Sequence, residues 1–183
     1  IQIAKSKKIY VIEDAAEALG GTYKGKKIGL RGDCACFSFY ANKIITTGEG
    51  GMAVFKKKKN SEIASLIKNH GMSSKNFYYH TIAGSNYRMT NPQAAIGLAQ
   101  LNRINEFYKS RKKTFDYYNK KLSIIGFIKF LPKNKWSKNS LWLYTIIIQN
   151  FKKEKRDILI QKLLAKGIET RPGFVSFNQM KIY

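Results

Sequence analysis

The sequence predicts an α/β fold, and three observations carry that expectation. Residues 9–12 (Ile9, Tyr10, Val11, Ile12) form a continuous apolar run without polar alternation, the pattern of a strand covered on both faces. Two later segments carry apolar residues at helical spacing: Ile63, Leu66 and Ile67 in one, and Ala94, Leu98, Leu101, Ile104 and Tyr108 in the other. The hydrophobic fraction of 44% suits a packed globular core rather than a disordered chain.

In chain order, residues 8–13 read as a buried strand ending in acidic residues. Residues 15–19 read as the start of a short helix stopped by Gly20 and Gly21, and residues 23–29 as a turn. Strands are expected at 33–39 and 51–55, and the lysine run 56–59 as a solvated turn. A helix over 61–70 ends at Gly71, and an aromatic-rich loop covers 73–81. Asn91 and Pro92 read as a side-chain cap and first helical residue of a helix running to about Leu122. Beyond it the sequence predicts a polar loop at 131–140, a strand at 141–149, a helix at 152–166 ended by Gly167, and irregular chain from 173. A domain change is placed near Ser123, giving domains 1–122 and 123–183.

The net charge of +23 raises the possibility of a basic nucleic-acid- or anion-binding protein. The lysines are scattered through all the predicted elements. No RNP motif, zinc-finger spacing or basic zipper accompanies them, which disfavours nucleic acid. The richness in Asn, Ile, Tyr, Phe and Lys fits AT-rich coding DNA instead. No apolar run reaches membrane-span length; the longest, LWLYTIII, is strand-sized. Cys34 and Cys36 lie on one face of a strand, where they do not bridge easily, and no third cysteine completes a zinc site. They are expected to be small buried thiols in a reducing cytoplasm, and no metal is expected.

The chemistry concentrates in two segments. Asp14 ends one apolar strand, and Lys43 lies just past another in SFYANKIITTGEGG. An aspartate and a lysine so placed suit pyridoxal 5'-phosphate (PLP). The lysine forms a Schiff base with the aldehyde, and the carboxylate faces the pyridinium nitrogen. On position alone Lys43 would be a surface charge and Asp14 a helix cap. The glycines of residues 46–51 lack P-loop spacing and read as backbone room.

Four stretches, VIEDAAEALGGTYKGKKIG, GDCACFSFYANKIITTGEGGMAVF, GSNYRMTNPQAAIGLAQL and GIETRP, resemble the DegT/DnrJ/StrS family of sugar aminotransferases, in the family's order along nearly the whole chain. Within that family the text is most similar to members that form 4-amino sugars, in the manner of perosamine synthases. The resemblance implies an aspartate-aminotransferase-like (fold type I PLP) fold. Residues 1–122 would be the second half of the large domain with a bridging helix, and 123–183 the start of a small C-terminal α+β domain. It also implies an internal fragment of a longer enzyme, lacking part of the cofactor site and inactive alone.

Residue by residue, the resemblance assigns Lys43 as the catalytic, cofactor-bonding lysine and Asp14 as partner of the ring nitrogen. Ser38 would donate to the cofactor phosphate. Asn86 would reach a neighbouring subunit's phosphate, so the active sites of a homodimer would be shared. Glu17 lies where a polar group approaches the cofactor's phenolic oxygen, although a glutamate suits an anionic oxygen less well than a glutamine or histidine. Arg88 is an interface ion pair or a substrate contact, and Arg171 lies at the substrate mouth. Ser176, Phe177 and Asn178 replace a Pro-Leu-His stretch common in the family. The implied reaction moves an amino group from glutamate to a keto carbon of a nucleotide-linked deoxysugar, a 4-keto-6-deoxy sugar being favoured. Relatives that dehydrate sugars carry histidine in place of the lysine, so Lys43 argues against that chemistry.

Overall fold

The computed structural model describes residues 1–182 of the chain. It begins with a short helix, α1 (Gln2–Ser6), followed by strand β1 (Ile12–Asp14). The strand is shorter than predicted, and the run before it is not covered. Ile9, Tyr10 and Ile12 are 61%, 73% and 70% exposed. The two-sided burial expected of the run is therefore absent.

The expected helix at 15–19 is also absent. Ala15 stays in the sheet by donating to the Cys36 carbonyl at 2.9 Å. Two successive tight turns then close, Ala18 N–H to Ala15 O and Gly21 N–H to Ala18 O. Residues 23–29, expected as a turn, belong to a hairpin of β2 (Thr22–Tyr23) and β3 (Lys26–Lys27). Lys24 and Gly25 have φ of 46° and 73°, which matches the twist of a two-residue hairpin turn.

Strand β4 (Cys34–Ser38) runs parallel to β1, with Asp14 opposite Cys36. Strand β5 (Gly51–Phe55) pairs antiparallel with β4, Ser38 lying opposite Gly51. The period of two points Ala35 into the core and both cysteines the other way. Cys36 is therefore exposed and Cys34 half-buried, not the buried pair expected.

Helix α2 (Lys58–Ile67) starts inside the lysine run, so Lys58 and Lys59 are helical rather than part of a turn. Lys58 pairs with Glu62 one turn on, at 3.7 Å. Helix α3 (Asn91–Asn102) is capped by Thr90, not Asn91. Thr90 and Gln93 form a reciprocal capping box, and Pro92 fits in the first turn. The long helix expected from here to Leu122 is broken at Arg103 (φ −105°, ψ 8°) and resumes as α4 (Ile104–Leu122).

Then follow β6 (Ile128–Phe130), β7 (Ser137–Lys138), β8 (Ile146–Ile148), α5 (Lys153–Leu164) and a 3-10 turn at Phe177–Gln179. β7 lies in the expected loop and adds to β2, giving the order β3-β2-β7. β6 was not expected, and the strand predicted over 141–149 contracts to β8, which pairs antiparallel with β6. No helix among the described residues is long and apolar enough to cross a membrane.

The chain divides into two compact units. The first comprises Ile1–Phe115 with Lys133–Trp142. Its buried side chains include Ala15 and Ala35 and, in the loop after β4, Phe39, Ile44, Ile45 and Thr47. The second comprises Asp116–Pro132 and residues from Leu143 onward. There Tyr118 stacks on Tyr144 at 4.9 Å and Phe127 on Phe151 at 5.8 Å. The Tyr144 hydroxyl donates to Asn119 Oδ1 at 2.9 Å.

Candidate active site

Because β1 and β4 are parallel, their carboxyl ends share one sheet edge, the usual place for ligands in α/β folds. Asp14 and Ser38 are the last residues of these strands. The loop after β4 is tied back onto that edge. Phe39 N–H donates to Gly50 O and Thr47 N–H to Phe39 O, both at 2.9 Å. Ile44 and Ile45 are 7% and 2% exposed, so apolar burial anchors the loop just beyond Lys43. Helix α3 holds the far side of the loop. Gln100 Oε1 accepts from Thr46 N–H at 3.0 Å, and Gln93 Nε2 donates to Glu49 O at 3.2 Å. Gly97 permits this approach, since a Cβ there would lie 2.8 Å from Thr47 Cγ2.

Lys43 is thus presented on a braced turn, with its side chain 11% exposed. Its Nζ lies 3.9 Å from Glu17 Oε1 and 3.9 Å from the centroid of the Trp142 ring. The two residues line a small pocket with Ala16, Ser38, Lys43 and Ser140. Ser140 Oγ donates to the Glu17 carbonyl. Trp142 Nε1 donates to Asn42 O at 3.2 Å. The Arg111 guanidinium donates to Trp142 O and, at 3.4 Å, to Lys43 O.

The structure gathers Lys43, Glu17 and Ser38 around that pocket, with Asp14 on the same sheet edge. Asp14 Oδ1 accepts from Ala16 N–H at 3.1 Å, and Ser38 Oγ accepts from Tyr40 N–H at 3.2 Å. Asn86 and Arg88 do not line the pocket. Asn86 bridges to Asn69, and its Oδ1 accepts from Arg88 N–H and Nε at 3.4 Å. Arg171 belongs to the second unit, 81% exposed and paired with Glu169 at 2.7 Å.

Four contributors were missed from the sequence. Arg111 looked like one basic residue among many on a helix face, and Ser140 and Trp142 fell in a predicted loop and strand. Glu13 was read as the acidic end of a strand. Its carboxylate in fact accepts from Gly29, Arg31 and Gly32 N–H at 3.0, 2.7 and 2.6 Å. Burial pushes this carboxyl up, but the three N–H donors and the Arg31 charge outweigh it and hold it below the usual carboxylate range.

The donor set fits a pyridoxal phosphate group. An aldehyde needs a primary amine, and Lys43 supplies one inside the pocket. A ring nitrogen held protonated needs an anion, and Asp14 is an exposed carboxylate on the same edge. A phosphate needs hydroxyl or N–H donors, and Ser38 Oγ, which accepts from Tyr40 N–H, has its own O–H to donate.

The DegT/DnrJ/EryC1/StrS aminotransferase family matches residues 1–183. GDP-perosamine synthase of Caulobacter vibrioides is 43% identical over 184 residues, covering 100% of this chain and 50% of the relative. Helicobacter pylori PseC, an aminotransferase involved in the biosynthesis of pseudoaminic acid, superposes with a TM-score of 0.93 at 28% identity, over 100% of this chain and 50% of that one. Spr1654 of Streptococcus pneumoniae in its PMP form gives a TM-score of 0.90 at 28% identity, over 99% and 48%. The chain spans about half the length of the curated relatives it matches.

Proposed function

The chain belongs to the DegT/DnrJ/EryC1/StrS aminotransferase family, whose members depend on PLP, and from that premise we propose that the protein transfers an amino group from glutamate to a nucleotide-linked deoxysugar. The acceptor would be a 4-keto-6-deoxy sugar, a reading supported by the likeness to GDP-perosamine synthase. The observation that carries the proposal is Lys43, its amine enclosed in a pocket at the carboxyl edge of a parallel strand pair.

When bound, PLP supplies an electrophilic aldehyde carbon and a ring that draws electrons from the substrate. Lys43 would supply the primary amine that holds the aldehyde, and its free amine would move the proton at the substrate's reacting carbon. Asp14 would hold the ring nitrogen, its charge favouring the protonated ring. Ser38 Oγ would donate to the phosphate. Glu17, 3.9 Å from the amine, orients Lys43. Asn86 would serve the phosphate of a second copy in a homodimer, Arg88 would form an interface ion pair or contact the substrate, and Arg171 would lie at the substrate mouth. The net charge of +23 favours approach of a nucleotide diphosphate. A cytoplasmic location goes with this chemistry.

The test is borohydride reduction of the PLP-treated protein, followed by peptide mass mapping. A pyridoxyl group on Lys43 is the expected result. A folded, PLP-saturated protein with Lys43 unmodified would sink the proposal.

A further inference from the structure

We propose that Arg111 is a positioning residue for Lys43, holding the lysine's main chain and the indole beneath its amine with one guanidinium. The inference rests on the reading of Lys43 given above. Lys43 lies beyond the end of β4, where the sheet ladder no longer fixes the backbone. Its N–H is held by Tyr40 O at 3.0 Å. Its carbonyl is held by Arg111 Nη2 at 3.4 Å.

The other guanidinium arm, Nη1, holds the carbonyl of Trp142. The Trp142 ring lies 3.9 Å from Lys43 Nζ, and its Nε1 returns to Asn42 O at 3.2 Å. The contacts close a ring through Arg111, Lys43, Asn42 and Trp142. Lys43 and the surface its amine rests on cannot separate without breaking it. A planar fork of fixed N–H directions spans two carbonyls; a lysine ammonium on a flexible stem does not hold both in one geometry. Arg111 is half-buried in α4, and burial pushes its guanidinium below its ordinary value. A buried cation is retained where its hydrogen bonds offset the desolvation.

The experiment uses the full chain with PLP below saturation. Borohydride trapping at timed intervals gives the rate at which Lys43 acquires the pyridoxyl group. Wild type is compared with Arg111→Lys, Arg111→Met and, as a control for helix charge, Lys113→Met. Circular dichroism and thermal unfolding report folding. Loss of a charged hydrogen-bond pair should slow capture at Lys43 by about tenfold in both Arg111 variants. Trp emission should shift with it, while Lys113→Met matches wild type. Capture at the wild-type rate in either folded Arg111 variant would overturn the inference. So would failure of both variants to fold, which would make Arg111 a residue of the fold alone. Absence of label on wild-type Lys43 would instead sink the parent reading.

Discussion

The loops 39–47 and 73–88 belong to the same unit and are built on opposite principles. The first is well buried: Phe39, Ile44, Ile45 and Thr47 are each no more than 8% exposed. Its backbone is gripped by Gly50, α3 and Arg111. The second has a braced backbone, with Ser73 N–H to Tyr79 O and Thr81 N–H to Gly71 O, both at 2.8 Å. Its rings nevertheless face outward, with Phe77, Tyr78 and Tyr87 at 85%, 86% and 75% exposure. Phe77 and Tyr78 contact each other, with ring centroids 6.3 Å apart, and leave most of their surface in solvent. Lys43 thus lies in the covered loop, 11% exposed, while Asn86 and Arg88 lie in the exposed one.

The comparison breaks most directly at Lys43. Lys43→Ala should lower amino transfer by roughly 10²–10⁴-fold, the scale of a general acid–base group, without preventing folding. Steady-state kinetics with thermal unfolding checks both halves. Activity within a few-fold of wild type would remove Lys43 from the chemistry.

The brace on the first loop should fail next. Gly97→Leu places side-chain atoms where even a Cβ would lie 2.8 Å from Thr47 Cγ2. Overpacking of this kind destabilises by about 1–3 kcal/mol. Denaturant unfolding should show the loss, and PLP affinity should fall with it, because Thr46 and Glu49 bond the same helix. Unchanged cofactor affinity would show that α3 does not hold the loop.

The first loop was far more legible in the sequence than its supports were. SFYANKIITTGEGG is contiguous, so the lysine, the serine and the glycine-rich turn were all visible together. Trp142 and Arg111 are distant in sequence and meet Lys43 through tertiary packing, which no local pattern encodes. The strand at 51–55 was found because its ends are marked by glycine and lysine. The helix at 15–19 was expected from alanine content and is absent because Ala15 remains hydrogen-bonded to β4. The cap of α3 was placed one residue late, since Asn91 and Thr90 are both good caps and Gln93 decides between them.

A smaller effect should come from Glu13, which pins the 29–32 turn behind Asp14. Its folded carboxyl titrates below the unfolded value of about 4.3. Its contribution is therefore present above that pH and is lost as pH falls through the folded value. Glu13→Gln replaces one acceptor oxygen by a donor facing backbone N–H groups. The variant should be less stable than wild type at pH 7, and the gap should close as pH falls below about 4. Thermal unfolding across that range checks it; a gap that stays constant with pH would remove the charge from the account.

The smallest effect on folding should lie in the second loop. Tyr78 is 86% exposed, and its ring contacts Phe77 with centroids 6.3 Å apart. Tyr78→Ser therefore removes little packing, and its effect on unfolding of the separate chain should stay within about 0.5 kcal/mol. In the proposed homodimer the same ring would be covered by the second copy, and its loss should weaken self-association. Sedimentation over a concentration series separates the two: the dimer should dissociate at lower dilution while the monomer's unfolding is unmoved. A variant that loses monomer stability instead would mean the aromatic loop packs within its own chain, and the contrast between the two loops would fail.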